Sequence, residues 1–205
     1  MKLTWYGHAC FKLDSSDGAV VFDPYERGKV PGSELPALEA DMVISSHKHS
    51  DHYAPSMVSI STQTPGFDVE RIACFHDEAG GTKRGRNYIT VIESEGLRVA
   101  HMGDIGHQLS KKQLEKLGKI DIMLLPVGGT YTLNADEAAE LVKSAQPRAV
   151  VPMHYLRNGI GFDVLGSLED FTKHFDAVEM LGSTWEIDAL PEGVSVFFFD
   201  KPVQN

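Results

Sequence analysis

The sequence predicts an α/β domain with helices covering the faces of a sheet. Three observations carry this. The first half is rich in strand-like runs, the second half alternates short apolar strands with helices, and each of three helices opens on a capping pair. At 205 residues, with 42% hydrophobic and 23% charged side chains, the chain has the size and make-up of a globular protein, and a single domain over residues 1–205 is expected.

Taken in order, "KLTWYGHACFKLD" (2–14) is apolar, aromatic and partly alternating, and reads as one strand. "SSDG" turns the chain into "AVVFD" (19–23), making a hairpin. A Pro/Gly-containing loop from Pro24 to Pro36 precedes "DMVISS" (41–46), read as a buried strand, and "APSMVSI" (54–60) reads as a short helix. "VERIACF" (69–75) is a strand, "DEAGGTKRGRN" (77–87) a glycine-rich loop, and "YITVIES-EG-LRVAHMGD" (88–104) a second hairpin. Helices follow where Ser110, Asn134 and Ser167 each precede Gln113, Glu137 and Asp170 by three positions, with Gly118 and Pro147 as stops. "IDIMLLP" and "RAVVPM" are the strands between them, and "STWEI" and "VSVFFFD" close the chain as β structure.

Composition excludes several functions. A formal net charge of −10 disfavours nucleic-acid binding, which needs a basic stripe to neutralise phosphates. One basic cluster, "TKRGRN" (82–87), leaves room for a small anionic substrate. No apolar run approaches the roughly 18–20 residues of a membrane span. Met1 leads straight into "KLTWYGHACF" without a charged-then-apolar leader, so a cytoplasmic protein is expected. Cys10 and Cys74 make no disulfide framework and are expected to be buried and reduced.

Chemistry concentrates in the nine histidines. His174 falls inside the last predicted helix and reads as an ordinary helical residue. The others lie at strand ends or in the loops that follow: His47 after "MVISS", His76 after "RIACF", and His154 after "RAVVPM", with Asp104 likewise after "LRVAHMG". Ligand sites of α/β sheets collect at the carboxyl ends of strands, so these segments can converge. Alone, "FHD" reads as a loop histidine, "GD" as a turn and "PMHY" as a core histidine. "HKHSDH" (47–52) is different, because neither packing nor solubility asks for three histidines and an aspartate in six positions. In an extended segment His47 and His49 point the same way and can grip one ion, while a following helical turn swings Asp51 and His52 toward a second. Imidazole with carboxylate suits zinc, manganese or iron, not calcium.

At these residues the sequence resembles the metallo-β-lactamase superfamily. "HKHSDH" matches its His-x-His-x-Asp-His signature, and "FHDEAGG" (75–81), "HMGDIGH" (101–107) and "VPMHY" (151–155) follow in the order of its later motifs. "TWYGHACF" and "LLPVGGTYTL" resemble a small single-domain branch of metal-dependent hydrolases related to ascorbate-6-phosphate lactonases. The resemblance implies an αββα four-layer sandwich with helices on both outer faces and a dinuclear site at one sheet edge. It implies that His47, His49 and His76 hold one divalent ion, that Asp51, His52 and His154 hold the other, and that Asp104 bridges them. Zinc is the leading ion, with manganese or iron as alternatives. Position 49 carries histidine where oxygen-reducing flavodiiron members use a carboxylate, and the nucleolytic members' β-CASP-like insertion is missing.

The expected function is hydrolysis of a small ester, lactone or phosphoester by a metal-bridging hydroxide, with Asp51 orienting that hydroxide. His107 is the candidate for protonating the leaving group, against a plain loop histidine. His8 and His101 are expected to orient ligands from behind through a ring N–H. Tyr131 and Tyr155 are candidate donors to an anion. Lys83, Arg84 and Arg86 either bind an anionic substrate or form a solvated loop. Two alternatives stand beside this: an RNase Z-like phosphodiesterase, and a metal-binding regulatory protein without turnover.

Overall fold

The opening apolar run breaks into two strands, β1 (Lys2–Trp5) and β2 (Phe11–Ser15), because Gly7 (φ 100°) and His8 (φ 53°) turn left-handed between them. This corrects the single strand expected there. A computed structural model describes residues 1–204 of the chain. β2 forms the expected hairpin with β3 (Gly18–Phe22), and β5 (Met42–Ile44) adds parallel to β3. β5 is an edge strand with only Ile44 buried, not the fully buried strand its apolar run suggests. The short β4 (Leu38–Ala40) pairs parallel with β6 (Val58–Ile60) as a separate ribbon. The expected helix over 54–60 is therefore reduced to one 3-10 turn, Pro55–Met57. The β-branched Val58 and Ile60 go to the ribbon instead.

β7 (Asp68–Phe75), β8 (Arg86–Ser94) and β9 (Leu97–His101) form an antiparallel meander. Three helices follow at the expected places: α1 (Lys111–Leu117), then β10 (Ile122–Pro126), α2 (Ala135–Ala145), β11 (Ala149–Met153) and α3 (Leu168–Thr172). Each helix has its capping pair closed in both directions. α3 ends before His174, which pairs from the turn beyond it with Asp136 at 2.9 Å. β12 (Val178–Leu181), β13 (Thr184–Glu186) and β14 (Ser195–Phe199) complete the chain.

The strands form a five-stranded sheet, β13-β1-β2-β3-β5, and a seven-stranded sheet, β12-β14-β11-β10-β9-β8-β7. One continuous core lies between them. Leu3, Trp5, Phe11, Leu13, Val20, Phe22 and Ile44 of the first sheet share it with Ile89, Val99 and Leu124 of the second. β10 and β11 are parallel and buried along their whole length, because α2 lays Ala138, Ala139, Leu141 and Val142 into the same core. On the other face of the first sheet, Val21 and Cys10 pack against Tyr25, Val30, Leu35, Leu38 and Val58, residues of the 24–60 loop and its ribbon. Both cysteines are buried and free. Among the described residues no helix is long and apolar enough to cross a membrane.

Candidate metal centre

β1 and β3 of the first sheet run parallel to β5, and β7, β9, β10 and β11 of the second share one direction. The loops after these strands meet at one rim. Strand β5 delivers "SSHKHSDH", β7 delivers His76, β9 delivers Asp104 and β11 delivers His154. All seven residues expected to hold metal are brought together there.

They fall into two groups. One donor atom each of His47, His49 and His76 lies within 4.8 Å of the others, and the same holds for Asp51, His52 and His154, which are joined by His8. The turn that divides "HKHSDH" is a backbone hydrogen bond from His52 N–H to His49 O at 2.9 Å. It sends the first two histidines one way and Asp51 and His52 the other. Asp104 stands between the groups. Its Oδ2 lies 3.0 Å from His52 Nε2, 3.2 Å from His76 Nε2, 3.3 Å from His154 Nε2 and 3.8 Å from His47 Nε2.

The imidazoles are aimed from behind. His52 Nδ1 donates to Asp23 Oδ2 at 2.8 Å, His76 Nδ1 donates to the Tyr131 carbonyl at 3.0 Å, and His47 Nδ1 contacts Ser46 Oγ at 2.9 Å. For His52 and His76 this leaves Nε2 to face the rim, whereas His47 Nε2 lies 3.0 Å from His49 Nδ1. Asp23 also accepts from Ser46 N–H and Ser46 Oγ, both at 2.6 Å, so one fully buried carboxylate ties β3 to the "HKHSDH" loop. Asn87 does the same for Asp104. Its Nδ2 donates to Met102 O at 2.8 Å, and its Oδ1 accepts from Asp104 N–H at 3.0 Å.

Two glycines make the approach possible. Gly103 sits at φ 57° with Asn87 Oδ1 only 2.3 Å from where a Cβ would be, and at Gly128 a Cβ would lie 2.2 Å from His154 O. His154 itself (φ 55°) and Asp23 (φ 44°) hold left-handed backbones that cost a non-glycine residue about 1–3 kcal/mol each, strain of the kind that collects at functional sites.

The electrostatics are those of a desolvated ligand set. Burial takes His47 down to about 3 and His8 to about 4, because a charged imidazole loses its hydration there. Burial works the same way on His52, but Asp104 and Asp23 on either side outweigh it and raise it well above its ordinary value. His76 is raised by Asp104 against the same burial cost. Burial would raise Asp104 too, yet His154 and His52 hold it well below the usual carboxylate range. Five buried side-chain atoms among the described residues make no hydrogen bond: His8 Nδ1 and Nε2, His52 Nε2, Asp104 Oδ1 and His154 Nδ1. All five belong to this cluster. Buried polar atoms rarely go unpartnered, and donor atoms of this type facing one another fit divalent ions with imidazole and carboxylate preference.

A cavity of about 580 Å³ opens over the cluster, lined by His49, Asp51, His76, Asp104 and His154 together with Lys48, Ser50, Arg84, Tyr131 and Phe162. The glycine-rich loop supplies Arg84. Buried Asp77 accepts from the N–H groups of Ala79, Gly81, Lys83 and Arg84 at 2.8–3.1 Å, which folds the loop back on itself. Arg84 then lies 5.3 Å over the Tyr131 ring and donates to Thr130 O at 3.0 Å, whereas Lys83 pairs with Glu78. The three cations of the loop thus part company, and only Arg84 of the three reaches the cavity.

Other expected residues take other places. His107 is not part of the cavity lining. Its Nε2 accepts from Phe75 N–H at 3.1 Å and its Nδ1 donates to Gln108 O at 2.8 Å, so the role in leaving-group protonation finds no support in this geometry. His101 donates from Nε2 to Ala9 O at 2.9 Å and stacks on Phe22, holding backbone and not a ligand ring. Tyr155 is buried against Trp5 in the core, while Tyr131 is 39% exposed at the cavity. Asp23, Asp77 and Asn87 are not readable as site residues from their neighbours. The one available signal is an aspartate ending the strand "AVVFD" at the same rim as the histidines.

Residues 2–154 match the family model described as β-lactamase superfamily domain. A UPF0173 metal-dependent hydrolase of Methanoculleus marisnigri is 31% identical over 187 residues, covering 76% of this chain and 81% of its own. A UPF0173 protein of Pyrococcus abyssi is 29% identical over 191 residues, covering 78% and 86%. The crystal structure of a proposed Zn-dependent hydrolase of the metallo-β-lactamase superfamily from Thermotoga maritima superposes with a TM-score of 0.78 at 33% identity, covering 97% of each chain.

Proposed function

The chain belongs to the β-lactamase superfamily and is a metal-dependent hydrolase, and from that premise we propose a dinuclear centre that hydrolyses a small ester, lactone or phosphoester carrying a negative charge. The observation that carries the pairing is the position of Asp104 Oδ2, within 3.3 Å of His52 and His154 on one side and His76 on the other. His47, His49 and His76 would hold one ion, Asp51, His52 and His154 the other, and Asp104 would serve both. Zinc leads because the donors are imidazole and carboxylate, with manganese and iron next.

Such a pair, when bound, lowers the pKa of a shared water toward neutrality and polarises a carbonyl or phosphoryl oxygen. The remaining work falls to the chain. Asp51, 23% exposed at the cavity floor, orients the attacking water through its carboxylate. Tyr131 presents a hydroxyl to charge developing on the substrate, and Phe162 gives the cavity an apolar wall that excludes bulk water. Arg84, braced on Tyr131 and Thr130, offers the planar fork that suits a carboxylate or phosphate beyond the scissile bond.

Metal content measured beside a panel of chromogenic lactones, thioesters and phosphodiesters tests the reading. Two equivalents per chain and turnover of one class are expected. Asp104→Ala should lose bound metal and activity together; full occupancy with normal rate would refute the bridge. Metal present with every substrate inert would favour a binding role. Arg84→Ala should raise KM for an anionic substrate roughly tenfold while leaving kcat within about threefold, as loss of one charged contact of about 1.5 kcal/mol predicts.

A further inference from the structure

His8, expected from the sequence to orient a ligand from behind, joins the second donor group and is among the most constrained residues of the molecule. It turns the chain between β1 and β2 with a left-handed backbone (φ 53°), beside Gly7, where a Cβ would lie 2.4 Å from Ser33 Oγ. Every neighbouring carbonyl is pinned. Trp5 Nε1 donates to His8 O at 3.1 Å, His101 Nε2 to Ala9 O at 2.9 Å, and Cys10 N–H to Gly7 O at 2.9 Å. The fold therefore spends strain and a buried histidine, His101, on presenting one side chain in one direction.

That direction is the metal centre. The His8 side chain is wholly buried, its ring 4.1 Å from that of His154 and 5.1 Å from that of His52, with Phe162 edge-on behind it. Neither ring nitrogen has a partner at good hydrogen-bond geometry; the carboxylate Oδ2 of Asp51 lies 3.5 Å from Nε2, at the outer limit for such a bond. A neutral imidazole always carries one N–H and one lone pair, and each left unpaired in the interior costs the desolvation of that group. His8 Nε2 lies 3.5 Å from Asp51 Oδ2, and one donor atom each of His8, Asp51, His52 and His154 falls within a mutual 4.8 Å. Ligand bonds of about 2.0–2.2 Å place neighbouring donors on one ion roughly 3.2–3.6 Å apart, so the spacing is that of two ligands sharing an ion.

The geometry points to His8 as an additional protein ligand, through Nε2, of the ion held by Asp51, His52 and His154. This rests on the dinuclear reading and deepens it. With Asp104 the second position would then draw on five side chains and the first on four. The second would accept an ion tolerant of five or more ligands and hold it firmly, and the coordination left open for substrate would fall mainly to the first, beside the exposed His49. The rival role is a ring N–H donated to Asp51 without contact to the ion.

The near-isosteric pair His8→Glu and His8→Gln separates the two. Glutamate can ligate but not donate to Asp51, and glutamine can donate but ligates poorly. Metal-free protein would be titrated with zinc and with manganese by calorimetry, and the cobalt-loaded forms compared by paramagnetic proton NMR. Ligation predicts that His8→Gln weakens one of two binding events by more than about 100-fold, beyond the roughly 10–100-fold that loss of an outer partner costs. The other event stays within threefold, which also certifies the fold, and His8→Glu retains both. One strongly shifted imidazole N–H resonance disappears in either variant. Two unchanged binding events and an unchanged set of shifted resonances in His8→Gln would overturn the assignment alone. A wild-type protein that takes up only one ion would overturn the assignment and the dinuclear reading together.

Discussion

At the scale of single residues, the centre depends as much on what stands behind the ligands as on the ligands. Asp23 accepts from His52 and from Ser46 at once, so it fixes the ring that faces Asp104 and the loop that carries His47 and His49. Asp23→Ala should weaken metal binding by about 10–100-fold without changing the number of ligands, measured as the free metal concentration at half-occupancy. His107→Ala makes the contrast. It removes two hydrogen bonds to backbone groups of Phe75 and Gln108 and should cost about 1 kcal/mol of stability, with metal content and kcat unchanged. A tenfold fall in kcat at full occupancy would return His107 to the chemistry. The "HKHSDH" donors are legible because they are local: four candidate donors crowded into six positions suit an ion and little else. Asp23, Asn87 and the bracing of His8 are not, because an aspartate at a strand end or a histidine in "YGHAC" has many uses. Only the neighbour across the sheet gives it one.

At the scale of elements, legibility followed the strength of the local signal. All three helices are where their capping pairs put them, since Ser110, Asn134 and Ser167 satisfy N–H groups that a helix leaves open whatever surrounds it. Asn134→Ala should therefore lower stability by about 1 kcal/mol. Chemical denaturation would read this as a shifted midpoint with an unchanged slope, and a change below a few tenths would show the cap to be redundant. Strands were harder. β12 shows no buried alternation to read, since three of its four residues are exposed at the sheet edge. The break between β1 and β2 is hidden in a continuous apolar run. "APSMVSI" has a helix-compatible start, but Val58 and Ile60 are claimed by pairing with Leu38 and Ala40, a partner 20 residues away.

At the scale of the whole molecule, the buried histidines tie stability to pH once metal is removed. His8 and His47 are held down to about 4 and about 3 against an unfolded value of about 6.5. Below about pH 6.5 the unfolded chain takes up protons that the folded chain refuses, so stability falls as pH falls through that window. His52 and His76 are raised, and the folded chain keeps their protons after the unfolded chain has released them. Their contribution is present below about 6.5 and is lost as pH rises through the folded values. Chelated protein should accordingly melt highest near pH 6.5, with a falling limb on either side. Loading the ions should remove the alkaline limb, because ligation requires His52 and His76 to give up those protons. A melting temperature flat from pH 4.5 to 8 in the chelated protein would contradict this account.

The amino-acid sequence alone dictates the class of fold, the three helices and where the candidate donors crowd, because capping, hydrophobic patterning and donor density all act within a few residues. Tertiary contacts set the rest: which carboxylate stands behind which imidazole, that Arg84 and not Lys83 reaches the cavity, that a loop and ribbon pack on the first sheet, and that His8 faces the donor cluster. Those outcomes depend on strands far apart in the chain ending at one rim, where distances of about 3 Å are set by sheet register and backbone turns that no local run of residues encodes.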